Sequence, residues 1–126
     1  MMPTGADRAL VALACLAGGL GVAASAAAAH IPGADSLKTA AQFLLFHAPA
    51  VLALAGLAAA GLTHPRATRL AAWALVLGLA LFSGDLALRA LAGQPLFPMA
   101  APSGGILLML GWSLAGLAAF LPVRRR

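Results

Sequence analysis

Residues 70–91 read LAAWALVLGLALFSGDLALRAL, and this stretch decides the fold. A helix of this length rises about 33 Å at 1.5 Å per residue, which is enough to cross the ~30 Å hydrocarbon core of a bilayer. The apolar residues are continuous rather than alternating and are mainly Ala and Leu, which argues against a transmembrane β-strand. The stretch therefore predicts a transmembrane helix.

Three further apolar segments with few charges flank this stretch. In chain order, the four predicted spans cover residues 9–29, 40–62, 70–91 and 105–121. The connections between them are short and contain Pro and Gly, which end helices and form turns. The sequence predicts an all-α fold, an integral membrane four-helix bundle that forms a single membrane domain over residues 1–126.

The composition favours the same class of protein. Of the 126 residues, 63% are hydrophobic and 9% are charged, whereas soluble domains are roughly 45–50% apolar and about 25% charged. A soluble domain this small has too much surface to bury so many apolar side chains. A soluble enzyme, a nucleic-acid-binding domain and a disordered chain are all disfavoured. The net charge of +5 does not indicate nucleic acid, because the basic residues flank or end apolar segments and form no stripe with aromatic side chains.

The basic residues predict the orientation of the spans. Four spans place both termini and the second connection on one side. Of the eight Lys and Arg residues, the other side carries Lys38 and Arg89, and the first side carries Arg8, Arg66, Arg69, Arg124, Arg125 and Arg126. Because cytoplasmic segments carry the excess of Lys and Arg, we expect both termini in the cytoplasm. The expected location is the cell (inner) membrane, as a multi-pass protein.

The first span has an alternative interpretation. Arg8, an apolar run and the small residues 24–29 also fit a secretory signal with a cleavage site. The 21-residue length of residues 9–29 and the acidic Asp7 before them favour a retained span. The single Cys15 excludes an internal disulfide and any Cys-based zinc site.

Polar residues inside the spans form a candidate buried cluster of His47, Asp85, Arg89 and Ser83. Ionisable side chains are costly in a membrane and mark candidate functional sites. By helical rise from the outer ends of their spans, His47 and Asp85 lie at matching depths of about 10 Å. We expect the two to face each other, with Arg89 one turn outward on the Asp85 face. The cluster either fixes the packing of the helices or handles protons, and the scarcity of acidic residues favours the first role.

Catalytic and metal-binding patterns are missing from the sequence. Ser83 and Ser113 have no base and orienting partner, and the chain has no P-loop and no metal motif. His30 and His64 are predicted on opposite sides of the membrane, which excludes a three-histidine metal site. We expect no catalytic residue, no metal and no cofactor.

Four short motifs follow one another along the chain. They are Ala29-His30, Phe46-His47, Phe82-Ser83-Gly84, and Pro102-Ser103-Gly104-Gly105 leading to Gly111-Trp112. In this order they resemble the domain of unknown function 423 (DUF423) family, the YgdD-like small four-helix membrane proteins. The resemblance covers about residues 8–121. It implies a four-span membrane protein of unassigned biochemistry whose first span is retained.

The sequence departs from this family pattern at three places. Residues 25–29 lack the usual glycines before His30, and Pro49 stands where an apolar helix former is usual. Asp85 stands where the family tends to have a second Ser. If Asp85 is peculiar to this chain, His30, His47 and Ser83 are better candidates for a role shared by the family.

Two functions are compatible with these observations. The favoured one is a non-enzymatic accessory or assembly factor, in contact with the lipid bilayer and with a membrane-protein partner or a second copy of itself, but not with nucleic acid. The alternative is a small transporter or proton-linked carrier that uses His47 and Asp85. Small multidrug carriers rely on an acidic residue in their first span, and residues 9–29 contain none.

The topology can be tested with reporter fusions. A reporter that is active only in the cytoplasm should give signal when fused after Arg126, because the basic residues favour that side. The same reporter inserted between Pro32 and Gly33 should be silent. A silent C-terminal fusion, together with a signal from a reporter that works only outside the cytoplasm, would contradict the topology.

Overall fold

The computed structural model describes residues 4–123, which form four helices and no strand. The helices are α1 (Gly5–His30), α2 (Asp35–Ala60), α3 (Pro65–Ala92) and α4 (Ala100–Ala118). Each is long and apolar enough to cross a membrane. The predicted all-α class with four such helices is confirmed.

Local capping explains where the helices begin and end. At the start of α1, the Thr4 hydroxyl accepts from the Asp7 N–H at 3.1 Å and the Asp7 carboxylate accepts from the Thr4 N–H at 3.0 Å. At the start of α3, Pro65 follows His64, whose Nδ1 accepts the Ala67 N–H. Helices α2 and α3 both end on glycine in the left-handed conformation, at Gly61 and Gly93.

Each helix begins about one turn before the predicted span. The predicted spans start where each apolar segment starts, whereas the residues just before those segments are helical too. The largest consequence is in the last connection. Helix α4 starts at Ala100, so Pro102 and Ser103 belong to its first turns and not to the loop. Pro102 is tolerated there because the first-turn N–H groups have no partner within the helix. Helices α2 and α4 end at Ala60 and Ala118, before the predicted limits at 62 and 121.

The helices pack in chain order. Helix α1 packs on α2, α2 on α3 and α3 on α4, while α1 touches α3 only slightly. Within residues 4–123, α1 and α4 do not pack on each other, so the four helices do not close into a ring. The connections 31–34 and 93–99 lie at one end, which we call the two-loop end. The segment 61–64, the start of α1 and the end of α4 lie at the other, which we call the termini end.

Ala, Leu and Val side chains form the core, and many further large apolar side chains lie outside it. The buried core consists of Leu10, Ala14, Val51, Leu54, Ala55, Ala71, Ala72, Leu75, Leu79 and Leu108. Large side chains point outward on every helix, among them Leu20, Phe46, Leu77 and Ile106, each more than half exposed. Small residues at helix contacts and a largely apolar exterior are typical of helices that pack within a membrane.

The closest helix contact is between α3 and α4. A Cβ added to Gly104 would lie 2.6 Å from the Phe82 amide nitrogen and 2.7 Å from the Gly78 carbonyl oxygen. A Cβ on Gly78 would in turn lie 2.9 Å from the Gly104 carbonyl oxygen. Because the obstructing atoms are backbone, they cannot move aside without separating the helices. The contact therefore requires glycine at both positions.

This contact predicts opposite effects for two adjacent glycines. In a helix interior, Ala is favoured over Gly by about 1 kcal/mol, but overpacking costs about 1–3 kcal/mol. Gly104→Ala should therefore lower the melting temperature in detergent. Gly105→Ala should not, because its nearest new contact is 3.7 Å, at Phe82. Equal melting temperatures for the two variants would contradict the close α3–α4 approach.

Candidate functional site

His47 links α2 to α4 through a hydrogen bond with Trp112. The Trp112 Nε1–H donates to His47 Nε2 at 3.1 Å, and the other ring nitrogen, Nδ1, lies 2.8 Å from the Phe43 carbonyl oxygen. An indole N–H can only donate, so Nε2 accepts and the proton is carried on Nδ1, which donates to the carbonyl. The two bonds therefore fix a neutral imidazole in one tautomer and one orientation. The His47 ring is buried, whereas Trp112 is half exposed.

Aromatic rings surround this hydrogen bond. The Phe43 and Phe82 centroids are 4.4 Å apart, the Phe43 ring is stacked 5.7 Å from His47, and Trp112 meets His47 edge-on at 5.8 Å. These rings line an open groove of about 570 Å³ between α2 and α4. We call it the α2–α4 groove. Its wall is completed by Ala101, Pro102, Gly105, Ile106, Leu108 and Met109.

Asp85 holds the last connection against α3. Its carboxylate accepts the Arg89 Nε–H at 2.8 Å and the backbone N–H of Leu96 at 2.7 Å. Asp85 is fully buried, whereas the Arg89 side chain is half exposed at the two-loop end. The carboxylate thus fixes the loop 93–99, which otherwise is exposed along its length. Nothing in the sequence signalled Leu96 as the partner, because a backbone N–H carries no residue signature.

Ser83 makes a third, separate connection. Its hydroxyl donates to the Ala40 carbonyl oxygen on α2 at 3.0 Å, and the side chain is buried. This hydrogen bond joins α3 to the backbone of α2, so it needs no polar side chain on α2. It also sets the relative height of the two helices.

The predicted contact between His47 and Asp85 is not formed. Each has its own partners, and neither a hydrogen bond nor an ion pair joins them. The Ser83–Ala40 bond and the Phe43 contact with Phe82 set an antiparallel register, which places His47 about two turns further from the two-loop end than Asp85. The prediction was wrong because it counts the depth of His47 from residue 40, where the apolar segment begins, whereas α2 itself begins at Asp35.

The other residues of the family pattern fall into three groups. His47, Phe82, Pro102, Gly105 and Trp112 line the α2–α4 groove. The closely packed glycines behind that groove are Gly104 and Gly111, the second lying against Leu75. Outside it lie His30, which is exposed at the end of α1, the outward-pointing Phe46, and Gly84, which has open space around it.

An ion pair at the termini end was missed from the sequence. Arg69 donates to Asp7 through Nε at 2.7 Å and through an Nη at 3.1 Å, a two-pronged contact between α3 and the first turn of α1. Asp7 is buried, and it also caps its own helix. The predicted topology places Asp7 and Arg69 on the same side of the membrane, and this is the one feature of the sequence that pointed to their pairing. Nearby, the His64 N–H donates to the Ala118 carbonyl oxygen and so ties α4 to the α2–α3 connection.

These hydrogen bonds and ion pairs hold helices and loops in position. In the part of the chain from Thr4 to Val123, no three His, Cys, Asp or Glu side chains come together as metal ligands would. The α2–α4 groove is the place where a polar side-chain pair meets an open apolar space. It is therefore the candidate site.

Substitutions at Asp85 and Arg89 separate pairing from simple charge removal. Asp85→Asn keeps an acceptor for the Leu96 N–H and should be mild. Asp85→Ala leaves that N–H unpaired, which costs about 1–3 kcal/mol. Arg89→Gln should lower the melting temperature more than Asp85→Asn, because it leaves a buried carboxylate without its cation.

The double variant Asp85→Asn with Arg89→Gln is the control. It should recover most of the stability lost in Arg89→Gln alone, measured as thermal unfolding in one detergent. If Arg89→Gln has no effect and the double variant is no more stable, the ion pair does not contribute to the fold.

Comparison with known proteins assigns the family. A family model described as protein of unknown function (DUF423) matches residues 20–105, which is more than half of the chain. This range is narrower than the residues 8–121 over which the motifs resemble the family: it includes His47 and Phe82 but stops before Gly111 and Trp112. No solved structure matches the chain. The chain belongs to the DUF423 family of proteins of unknown function.

Proposed function

We propose that the protein is a non-enzymatic accessory or assembly factor of the cell (inner) membrane, with both termini in the cytoplasm. In this role it holds an apolar helical surface for a membrane-protein partner or for a second copy of itself. The observation that carries the proposal is the complete internal pairing of its buried polar groups.

The pairing argues for a scaffold. Among the residues that the structure describes, no buried side-chain nitrogen or oxygen lacks a hydrogen-bond partner. His47, Ser83 and Asp85 each bind a different element, and Asp7 binds Arg69. A polar group that is hydrogen-bonded to another part of the protein holds the helices in place.

The unpartnered flanks argue for an interaction role. Helices α1 and α4 each pack against one main neighbour, and both expose large apolar side chains, such as Leu20 and Leu110. Between α1 and α3 an apolar groove of about 420 Å³ remains open, lined largely by Ala and Leu. Apolar helix faces with small residues allow close approach of another helix.

The charges support the proposed orientation. Arg8 and Arg66 are exposed at the termini end, next to the Asp7–Arg69 pair. At the two-loop end Lys38 is exposed and Arg89 is held by Asp85. The free basic charge therefore favours the termini end as the cytoplasmic one.

The alternative, a small transporter or proton-linked carrier, has weaker support. It needs a polar route that joins the ionisable groups through the helices. His47 and Asp85 have separate partners and lie about two turns apart along the helices. Among the described residues, no chain of hydrogen bonds links one to the other.

Affinity capture tests the proposal. The tagged protein, extracted with a mild detergent, should come out in a defined complex or as a dimer. Leu20→Ala or Leu110→Ala, on the two flanks, should reduce the complex at least severalfold without lowering the melting temperature. Leu77→Ala, equally exposed on α3, is the matched control and should leave the complex intact.

Reconstitution into vesicles tests the alternative. The accessory role predicts that vesicles containing the protein take up protons no faster than empty ones under an imposed pH gradient. A monomer that binds no partner, together with proton uptake that Asp85→Asn abolishes, would overturn the proposal in favour of a carrier.

A further inference from the structure

The α2–α4 groove combines aromatic walls with one polar pair. Among the residues that line it are Phe43, His47, Phe82, Gly105, Met109 and Trp112. Its volume of about 570 Å³ falls within the range of about 300–1,000 Å³ typical of small-molecule sites. Such sites are mainly apolar with a few placed polar groups, which is the composition found here.

The polar pair in the groove consists of Trp112 and His47, which are hydrogen-bonded to each other. In the hydrogen bond between Trp112 and His47, one side chain supplies a donor and the other an acceptor, and both line the groove. A hydroxyl group is both a donor and an acceptor. When a ligand hydroxyl lies between the two side chains, its oxygen accepts a hydrogen bond from the Trp112 N–H, and its O–H donates a hydrogen bond to His47 Nε2. One bond is replaced by two, and no polar atom is left unpaired.

The Trp112 side chain has room to make this change. It is half exposed, whereas the His47 ring is buried and held from behind by the Phe43 carbonyl oxygen. The acceptor is therefore fixed and the donor lies on the open side. Only the indole needs to shift for a hydroxyl to enter.

We propose that the α2–α4 groove binds an amphiphile from the membrane that carries a hydroxyl on an aromatic ring, the chemical class of phenols and quinols with an apolar tail. The ring stacks among Phe43, Phe82 and Trp112, which favour offset or edge-on aromatic contacts. The hydroxyl bridges Trp112 and His47, and the tail follows the apolar wall at Met109. The inference rests on the proposed membrane location but not on the proposed accessory role.

The site selects against other small amphiphiles. An anionic headgroup finds no cation among the lining residues. A plain acyl chain uses neither His47 nor the indole N–H. An ether or a ketone accepts from Trp112 but leaves His47 Nε2 without a donor, and losing one bond of this kind weakens binding by up to about tenfold.

Binding of 4-nonylphenol, compared with its methyl ether 4-nonylanisole, tests the proposal. Trp73 and Trp112 are the two tryptophans of the chain, so Trp73→Phe leaves Trp112 as the reporter in the groove. In detergent solution the phenol should change the Trp112 fluorescence saturably, with a Kd up to about tenfold lower than that of the ether. His47→Leu should remove the difference between the two probes.

A second variant protects the test against misfolding. Gly105→Leu places a side chain in the groove and leaves His47 and Trp112 unchanged, and there is room for its Cβ, which meets only Phe82, at 3.7 Å or more. It should abolish saturable phenol binding while the melting temperature stays near that of the parent. In Trp112→Phe, the remaining Trp73 should show only the linear change expected from partition into detergent.

Three outcomes would overturn the proposal. One is equal affinity for the phenol and the ether in the parent protein. Another is binding that survives Gly105→Leu. The third is efficient disulfide formation between copies carrying Met109→Cys and Cys15→Ser in membranes, which would show that a second copy covers the groove. Because the reporter fusions measure membrane location separately, failure here is distinguishable from failure of the proposed location.

Discussion

A polar side chain buried among apolar helices has no partner except the protein itself, and the arrangement of these four helices follows from that constraint. Four of the five buried polar side chains in the described residues join one element to a distant one. Ser83 ties α3 to α2, His47 ties α2 to α4, and Asp85 ties the last connection to α3. Asp7 does the same for α1 and α3 at the opposite end. Hydrophobic burial sets little order among helices that are apolar on all sides, so these few bonds carry much of the specificity.

Close backbone contact is a second constraint on how the helices pack. Where α3 meets α4, Gly78 and Gly104 bring the backbones together so closely that a single Cβ would not fit, and a Cβ at Gly111 would press on the Leu75 side chain. The same contact shapes the candidate site, because it holds α4 against α3 and leaves the space between α4 and α2 open. The groove is thus a consequence of where the small residues are. Trp112 and His47 meet across it, and no packed side chains fill it.

The helices could be predicted from the sequence because hydropathy is a property of consecutive residues. The contacts could not, because they depend on the height of one helix against another. The start of α2 lies five residues, about one and a half turns, before the predicted limit, and this difference was enough to match the depth of His47 to that of Asp85. The ion pair between Asp7 and Arg69 joins residues 62 positions apart, and only the predicted topology hinted at it. The Leu96 N–H that binds Asp85 belongs to the backbone, which is the same in every residue.

The chain-order packing also bears on how the protein assembles. Since each helix packs mainly on the one made before it, a nascent chain can add α2 to α1, α3 to α2 and α4 to α3, and each step closes only a short loop. The links between helices that are not neighbours in the chain, Asp7 with Arg69 and Trp112 with His47, come into existence only when the later helix arrives. The first link can form once α3 is in place and the second only once α4 is, so a chain that stops before α4 leaves the His47 Nε2 without the donor that normally covers it.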